Sequence, residues 1–95
     1  MSAFVIVDLE ITDPEKFQKY RELVSPLIQA YGGKYLVRGG KSEVLEGDWK
    51  PNRLVVLEFD SEAEAKKFWD SDDYKPVKQL RLESANSNIV MVEGT

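Results

Sequence analysis

Y-G-G-K-Y-L-V-R-G-G-K-S-E-V-L-E-G-D-W-K-P-N-R, residues 31–53, decides the fold. It holds five of the six glycines, an arginine flanked by apolar residues and a tryptophan at a turn. Gly32 and Gly33 are expected to close a helix as left-handed caps. Lys34 to Gly47 reads as a strand that Gly39 and Gly40 divide into Tyr35–Arg38 and Ser42–Glu46, because a glycine pair inside a strand pattern marks a bulge or a bend. Gly47, Asp48, Pro51 and Asn52 are turn residues, and Arg53 to Phe59 then returns as an antiparallel partner.

On the N-terminal side, Ala3 to Ile11 begins as a continuous apolar run and ends as an alternation, the pattern of a strand covered on both faces at its start. Asp13 is suited to cap a helix whose first residue is Pro14, where a missing N–H costs nothing. Phe17, Tyr20, Val24, Leu27, Ile28 and Tyr31 then recur at helical spacing as one apolar stripe. Pro26 lies within it and crowds the carbonyl of Glu22, which predicts a kink or two abutting helices. On the C-terminal side, Ser61 and Glu64 form a capping box for a helix burying Ala65, Phe68 and Trp69. A further helical segment starts at Ser71 or Asp72 and runs to about Ser84, and Asn88 to Val92 is the last strand.

The order β-α-β-β-α-β predicts an α+β, ferredoxin-like antiparallel sheet with helices on one face, in one domain spanning residues 1–95. Alternation assigns Val5, Val7, Leu9, Ile11, Val55, Leu57 and Phe59 to the helix side. The opposite face carries Phe4, Ile6, Leu54 and Val56, too apolar for water, and a second copy of the same sheet is the economical cover. A homodimer enclosing a cavity between sheet and partner follows as the expectation.

Composition removes whole classes of chemistry. The 95 residues include no cysteine and no histidine, which excludes thiolate and imidazole catalysis, zinc ribbons and proximal-histidine haem. No carboxylate spacing supports a metal site, so neither a metal nor a cofactor is expected. The net charge of −4, with basic residues spread along the sequence, argues against nucleic acid. No apolar run reaches the length of a membrane span and no signal peptide is present, which makes the cytoplasm the expected location.

Candidate site residues follow from strand parity. Leu36 and Arg38 share a face on the second strand, Ile6 and Asp8 on the first, Val56 and Glu58 on the third, so Arg38, Asp8 and Glu58 are expected within reach of one another among apolar neighbours. Two readings stand. In one, Arg38 holds an anionic or enolic oxygen while Asp8 or Glu58, its pKa raised, moves a proton, with Gly39 and Gly40 admitting a ligand to the backbone. In the other, the trio is a structural ion-pair network. Trp49 finds cover across the dimer, over a ligand as a lid, or against its own strand pair, and Tyr74 either faces the cavity or packs beneath a helix start. Trp69 is assigned to the core, and Glu62–Lys67 and Lys75–Arg81 read as solvated helix faces.

G-G-K-Y-L-V-R-G-G, L-E-G-D-W-K-P-N-R-L-V-V-L-E-F-D-S and A-K-K-F-W-D-S-D-D-Y-K-P-V-K-Q-L-R together resemble the pattern of domain-of-unknown-function family 1330, over nearly the whole chain. The resemblance implies the dimeric α/β-barrel superfamily, which includes small cofactor-free monooxygenases, isomerases and stress-related proteins. Two functions are therefore carried forward. One is a dimer that binds a small anionic or enolic metabolite without a catalytic role, and the other a cofactor-independent enzyme acting on a self-activating substrate.

Overall fold

β1 (Ala3–Ile11) is the strand that both of its neighbours need, because it pairs antiparallel with β3 (Leu54–Phe59) along one edge and with β4 (Ala85–Glu93) along the other. The computed structural model describes residues 1–95. α1 (Pro14–Ala30) and β2 (Lys34–Arg38) follow β1, and α2 (Glu62–Trp69) and α3 (Tyr74–Ser84) lie between β3 and β4. The sheet order is β2-β3-β1-β4, all antiparallel, which is the expected ferredoxin-like arrangement. Ala3, Val7, Leu9, Leu57 and Phe59 are buried beneath Phe17, Tyr20, Val24 and Ile28 of α1, Ala65 and Phe68 of α2, and Tyr74 and Val77 of α3. Each large apolar side chain in this layer contributes up to about 1.5–3 kcal/mol by leaving water.

The helices start as the sequence dictates. Asp13 accepts a hydrogen bond from the Lys16 backbone N–H at 3.2 Å with Pro14 in the first turn, and Ser61 accepts one from Glu64 at 3.2 Å. Of the two outcomes expected at Pro26, abutting helices are excluded: one helix runs through it to Ala30. Both Pro26 and Glu22 lie on the exposed side, so the Glu22 carbonyl that loses its helical partner is free to bond water. Gly32 is left-handed with φ 82°, whereas Gly33 is not. Gly33 is needed instead for close packing, since a Cβ there would lie 2.7 Å from the Phe59 ring and 2.8 Å from Ile28.

The second strand differs most. Ser42–Glu46 forms no strand, and the chain from Gly39 to Arg53 is a loop. Pairing that segment back on itself would need donors from residues 47–53, yet Pro51 has none and the Asn52 N–H is spent on Asp8 Oδ1 at 3.0 Å. The bend placed at Gly39 and Gly40 falls earlier. Tyr35 pairs with Leu57, Val37 with Val56 and Arg38 with Val55, so Leu36 is an extra, bulged residue. One extra residue exchanges the faces of everything beyond it. Val37 therefore joins Val56, Ile6 and Val90 in one apolar row across all four strands of the open face, and Arg38 turns to the helix side.

Gly33→Ala should destabilise the fold by about 1–3 kcal/mol through overpacking against Phe59 and Ile28, read as a lower urea midpoint at unchanged slope.

Candidate functional site: an arginine-lined cavity beneath the helices

The bulge at Leu36 separates the three charged residues that parity had grouped. Asp8 and Glu58 lie on the open face, opposite Leu54 and Phe4 respectively. Asp8 is 9% exposed and clamps the long loop, accepting hydrogen bonds from Trp49 Nε1 at 3.0 Å and from the Asn52 backbone. Glu58 pairs with Lys34 at 3.3 Å. Hydrogen bonds from Ser2 and then Lys34 hold its carboxyl below the usual carboxylate range, the opposite of what a general base at neutral pH requires. Trp49 remains 62% exposed while bound to Asp8; it lies over the sheet's open face rather than over the cavity.

The cavity lies on the other side. A cavity of about 330 Å³, open at one end, lies between the sheet and the helices, floored by Val7, Leu9, Val55 and Ile89 and roofed by Phe17, Phe68 and Trp69. Of the sequence candidates, Arg38 and Tyr74 line it. Gly39 reaches it indirectly: its φ is 73°, and a Cβ there would meet Arg53 Nη1 at 2.6 Å and Nη2 at 2.7 Å, so only glycine lets the Arg53 guanidinium lie against the backbone. Gly40 has open space around it.

All four arginines of the chain, Arg21, Arg38, Arg53 and Arg81, line this cavity. No aspartate or glutamate does. The five ion pairs in the structure all use lysines, Lys16, Lys34, Lys66, Lys67 and Lys75. A chain of net charge −4 thus spends its carboxylates on lysine and leaves every arginine without one.

Arg81 is the deepest. Only 4% exposed, it occupies the buried stripe of α3 with Tyr74, Val77 and Ser84, not the solvated face expected of Lys75–Arg81. Its Nε donates to Tyr74 Oη at 3.3 Å and its Nη1 to Ser87 Oγ at 3.0 Å, and its guanidinium lies 5.7 Å from the Trp69 ring centre. Tyr74 Oη is 3.1 Å from Tyr20 Oη. Two phenols share one hydrogen bond and Arg81 brings only donors, so one hydroxyl proton is left without a protein acceptor. Burial, reinforced by the Tyr74 hydroxyl, pushes the Tyr20 phenol far above its ordinary pKa, so Tyr20 stays a neutral phenol, and either hydroxyl of the pair can be the donor. A second cluster of similar make-up stands at the β2 edge. Arg38 Nη2 donates to Ser25 Oγ at 2.8 Å, Ser25 Oγ is 3.2 Å from Tyr35 Oη, and the Arg38 guanidinium stacks 4.3 Å from the Tyr35 ring centre.

Fixed charge and an excess of donors in an apolar enclosure favour an anion. Arginine, planar and always charged, is the side chain suited to grip a carboxylate or an enolate. The sequence signal for Arg81 was its place in the apolar stripe four residues after Val77. Nothing in the sequence marks the bulge that delivers Arg38.

The fold and cavity define an α+β protein of the ferredoxin-like class whose helix layer covers an arginine-lined pocket. A family model described as Domain of unknown function (DUF1330) matches residues 2–95, and the chain belongs to that family. A search of curated protein sequences finds no match. Among solved structures, it resembles a protein of unknown function from Rhodopseudomonas palustris with a TM-score of 0.81 at 15% identity, covering 99% of this chain and 82% of the other. A dimeric ferredoxin-like protein of unknown function from Jannaschia sp. aligns with a TM-score of 0.72 at 11% identity, over 99% and 100% of the two chains. SnoaB, a cofactor-independent oxygenase from Streptomyces nogalater, aligns with a TM-score of 0.69 at 9% identity, over 99% and 93%. No helix of this chain is long and apolar enough to cross a membrane.

Arg81→Met keeps an unbranched apolar stem while removing a buried charge that no carboxylate compensates. The variant without ligand should be more stable than the parent by about 1 kcal/mol or more, a rise of several degrees in Tm for a chain of this size. A lower Tm would show that the hydroxyls alone satisfy the guanidinium.

Proposed function

We propose that this protein is a homodimer of one-domain chains that binds a small organic anion, a carboxylate or enolate with an apolar body, in the cavity beneath its helices. The gathering of all four arginines, none paired to a carboxylate, around one largely apolar cavity carries this reading. The apolar floor and roof would take the ligand's body, and Arg81 with the Tyr74–Tyr20 hydroxyl pair would take its charge. The ligand thus sits on the helix side of the sheet rather than between sheet and partner. Binding needs no catalytic group, and the cavity supplies neither carboxylate nor imidazole to serve as a base.

The open face supports the dimer. Val37, Val56, Ile6 and Val90 form an apolar row across the whole sheet, with Phe4 and Val92 beside it, and Val90 is 57% exposed. A two-fold copy brings the same row against itself, and sheets stack face to face at about 10 Å. The dimeric description of the Jannaschia relative agrees with this cover.

A second reading rests on the likeness to the Streptomyces oxygenase. The donors that would hold a carboxylate would also stabilise an enolate or phenolate, so a self-activating substrate entering already ionised would meet dioxygen in a dry pocket. Oxygen consumption during incubation with acidic phenols would favour that reading over simple binding.

Light scattering at micromolar concentration should give about twice the 10.9 kDa chain mass, and Val56→Asp should return it to one chain; a parent that stays monomeric removes the dimer. In thermal unfolding, an apolar carboxylate at about 100 times its Kd should stabilise the parent by about 2.7 kcal/mol, roughly 10 °C or more. Arg81→Met should lose that shift. A broad panel of small acids and phenols giving no shift removes the pocket reading.

A further inference from the structure

The arginines are not spread evenly around the cavity. Arg81 is held at the β4 side through Ser87, which pairs with Leu9. Arg53 stands on the other side of the same residue, its carbonyl accepting from the Leu9 N–H at 2.9 Å. Arg53, the residue just before β3, therefore lies in one row with Leu9 of β1 and Ser87 of β4, the two flanking backbones two strand spacings apart, about 10 Å. Arg38 lies farther towards the β2 edge, in the row Arg38, Val55, Val7 and Ile89. Between the two ends the floor is aliphatic, and Trp69 and Phe68 close the roof.

Each end has the same make-up. At the β4 end, Arg81 donates into the Tyr74–Tyr20 pair. At the β2 end, Arg38 donates into the Ser25–Tyr35 pair, with Arg53 lying against Gly39 beside it. The buried Tyr74–Tyr20 pair has one more proton than it has protein bonds to spend it on, whereas the Ser25–Tyr35 pair is only part-buried and can use water. The β4 end is dry and the β2 end is open: Arg81 is 4% exposed, whereas Arg38 is on the surface. A ligand with a single acidic group would answer the charge at the dry end only and leave the outer arginine to water.

We infer that the ligand is a dianion, two acidic groups carried at opposite ends of an apolar chain or ring system, one bound by Arg81 with Tyr20 and Tyr74 and the other by Arg38 and Arg53. This rests on the proposed anion-binding role of the cavity and narrows it to a class. The two arginine clusters then act as a ruler, because both acids are satisfied only when the spacer matches the width of the floor. The inner acid is stripped of water, while the outer one remains partly hydrated. Discrimination against monoacids comes from the outer cluster and affinity for any acid from the inner one.

The test uses the full-length protein with Trp49→Phe, so that tryptophan fluorescence reports Trp69 in the cavity roof. It is titrated with α,ω-alkanedioates of increasing length, with benzene and naphthalene dicarboxylates, and with the monoacid matched to each. Diacid affinity should pass through a maximum at one spacer length and exceed that of the matched monoacid by about tenfold or more, the worth of a charge-assisted contact. Arg38→Met with Arg53→Met should lower the best diacid to the level of its matched monoacid and weaken the monoacids far less than the diacid. Arg81→Met should abolish both. Monoacids binding as tightly as diacids at every length would overturn the dianion while leaving the anion site standing. Binding of neither series would remove both. Should Arg81→Met fold poorly, the surface pair of substitutions still decides between a one-ended and a two-ended pocket.

Discussion

A guanidinium that cannot lose its proton sits inside the helix layer with no carboxylate beside it, and the packing of four elements answers to it. α3 supplies Arg81 and Tyr74, α1 supplies Tyr20, β4 supplies Ser87 and α2 supplies the Trp69 ring. Neutral oxygens and a ring face soften the cost of that charge, but they do not offset it as an anion would. The cavity lies within the same layer as the core, and Val7, Leu9, Phe17 and Phe68 belong to both. An unpaired buried charge costs stability, and a bound anion would recover that cost.

The sheet divides its labour by face. One side carries the arginines, the phenols and the aliphatic floor; the other carries the apolar row through Val37, Val56, Ile6 and Val90, with Asp8 holding the long loop at its margin. The division depends on a single inserted residue, Leu36. Without it, Arg38 would project among the valines of the open face and Val37 would face the helices, which would both charge the surface to be covered and empty one end of the cavity. A strand register is thus a functional choice here.

Much of the fold was legible because it rests on local chemistry. Asp13 before Pro14, Ser61 before Glu64 and the spacing of Phe17, Tyr20, Val24 and Ile28 fix helices without reference to the rest of the chain. The alternation Val5, Val7, Leu9 fixes a strand face in the same way. The candidate site was less legible, since it depends on long-range register. Parity counted across Leu36 placed Arg38 with Asp8 and Glu58, and nothing in K-Y-L-V-R indicates that one residue will be skipped. The loop after Gly39 read as a strand because the glycine pair was taken as a bend within one, yet Pro51 and the capture of the Asn52 N–H by Asp8 leave it no partner. Arg81 was visible as an arginine on an apolar stripe and was read as solvated only because its neighbours Lys75 and Lys78 are charged.

α3 passes into β4 with no connecting loop: Ser84 ends the helix and Ala85 begins the strand. Tyr74, Arg81 and Ser87 therefore belong to one short stretch of chain, and their hydrogen bonds close before any distant segment is required. The cluster containing Arg38 and Ser25 instead waits on the docking of β2 against β3 and of α1 over both. Local contacts form faster than those that must close long loops, so the inner end of the cavity takes shape early in folding and the outer end late. The same asymmetry would place the first loosening of the native protein at the β2 edge. The ligand would then leave by the end at which the protein itself comes apart.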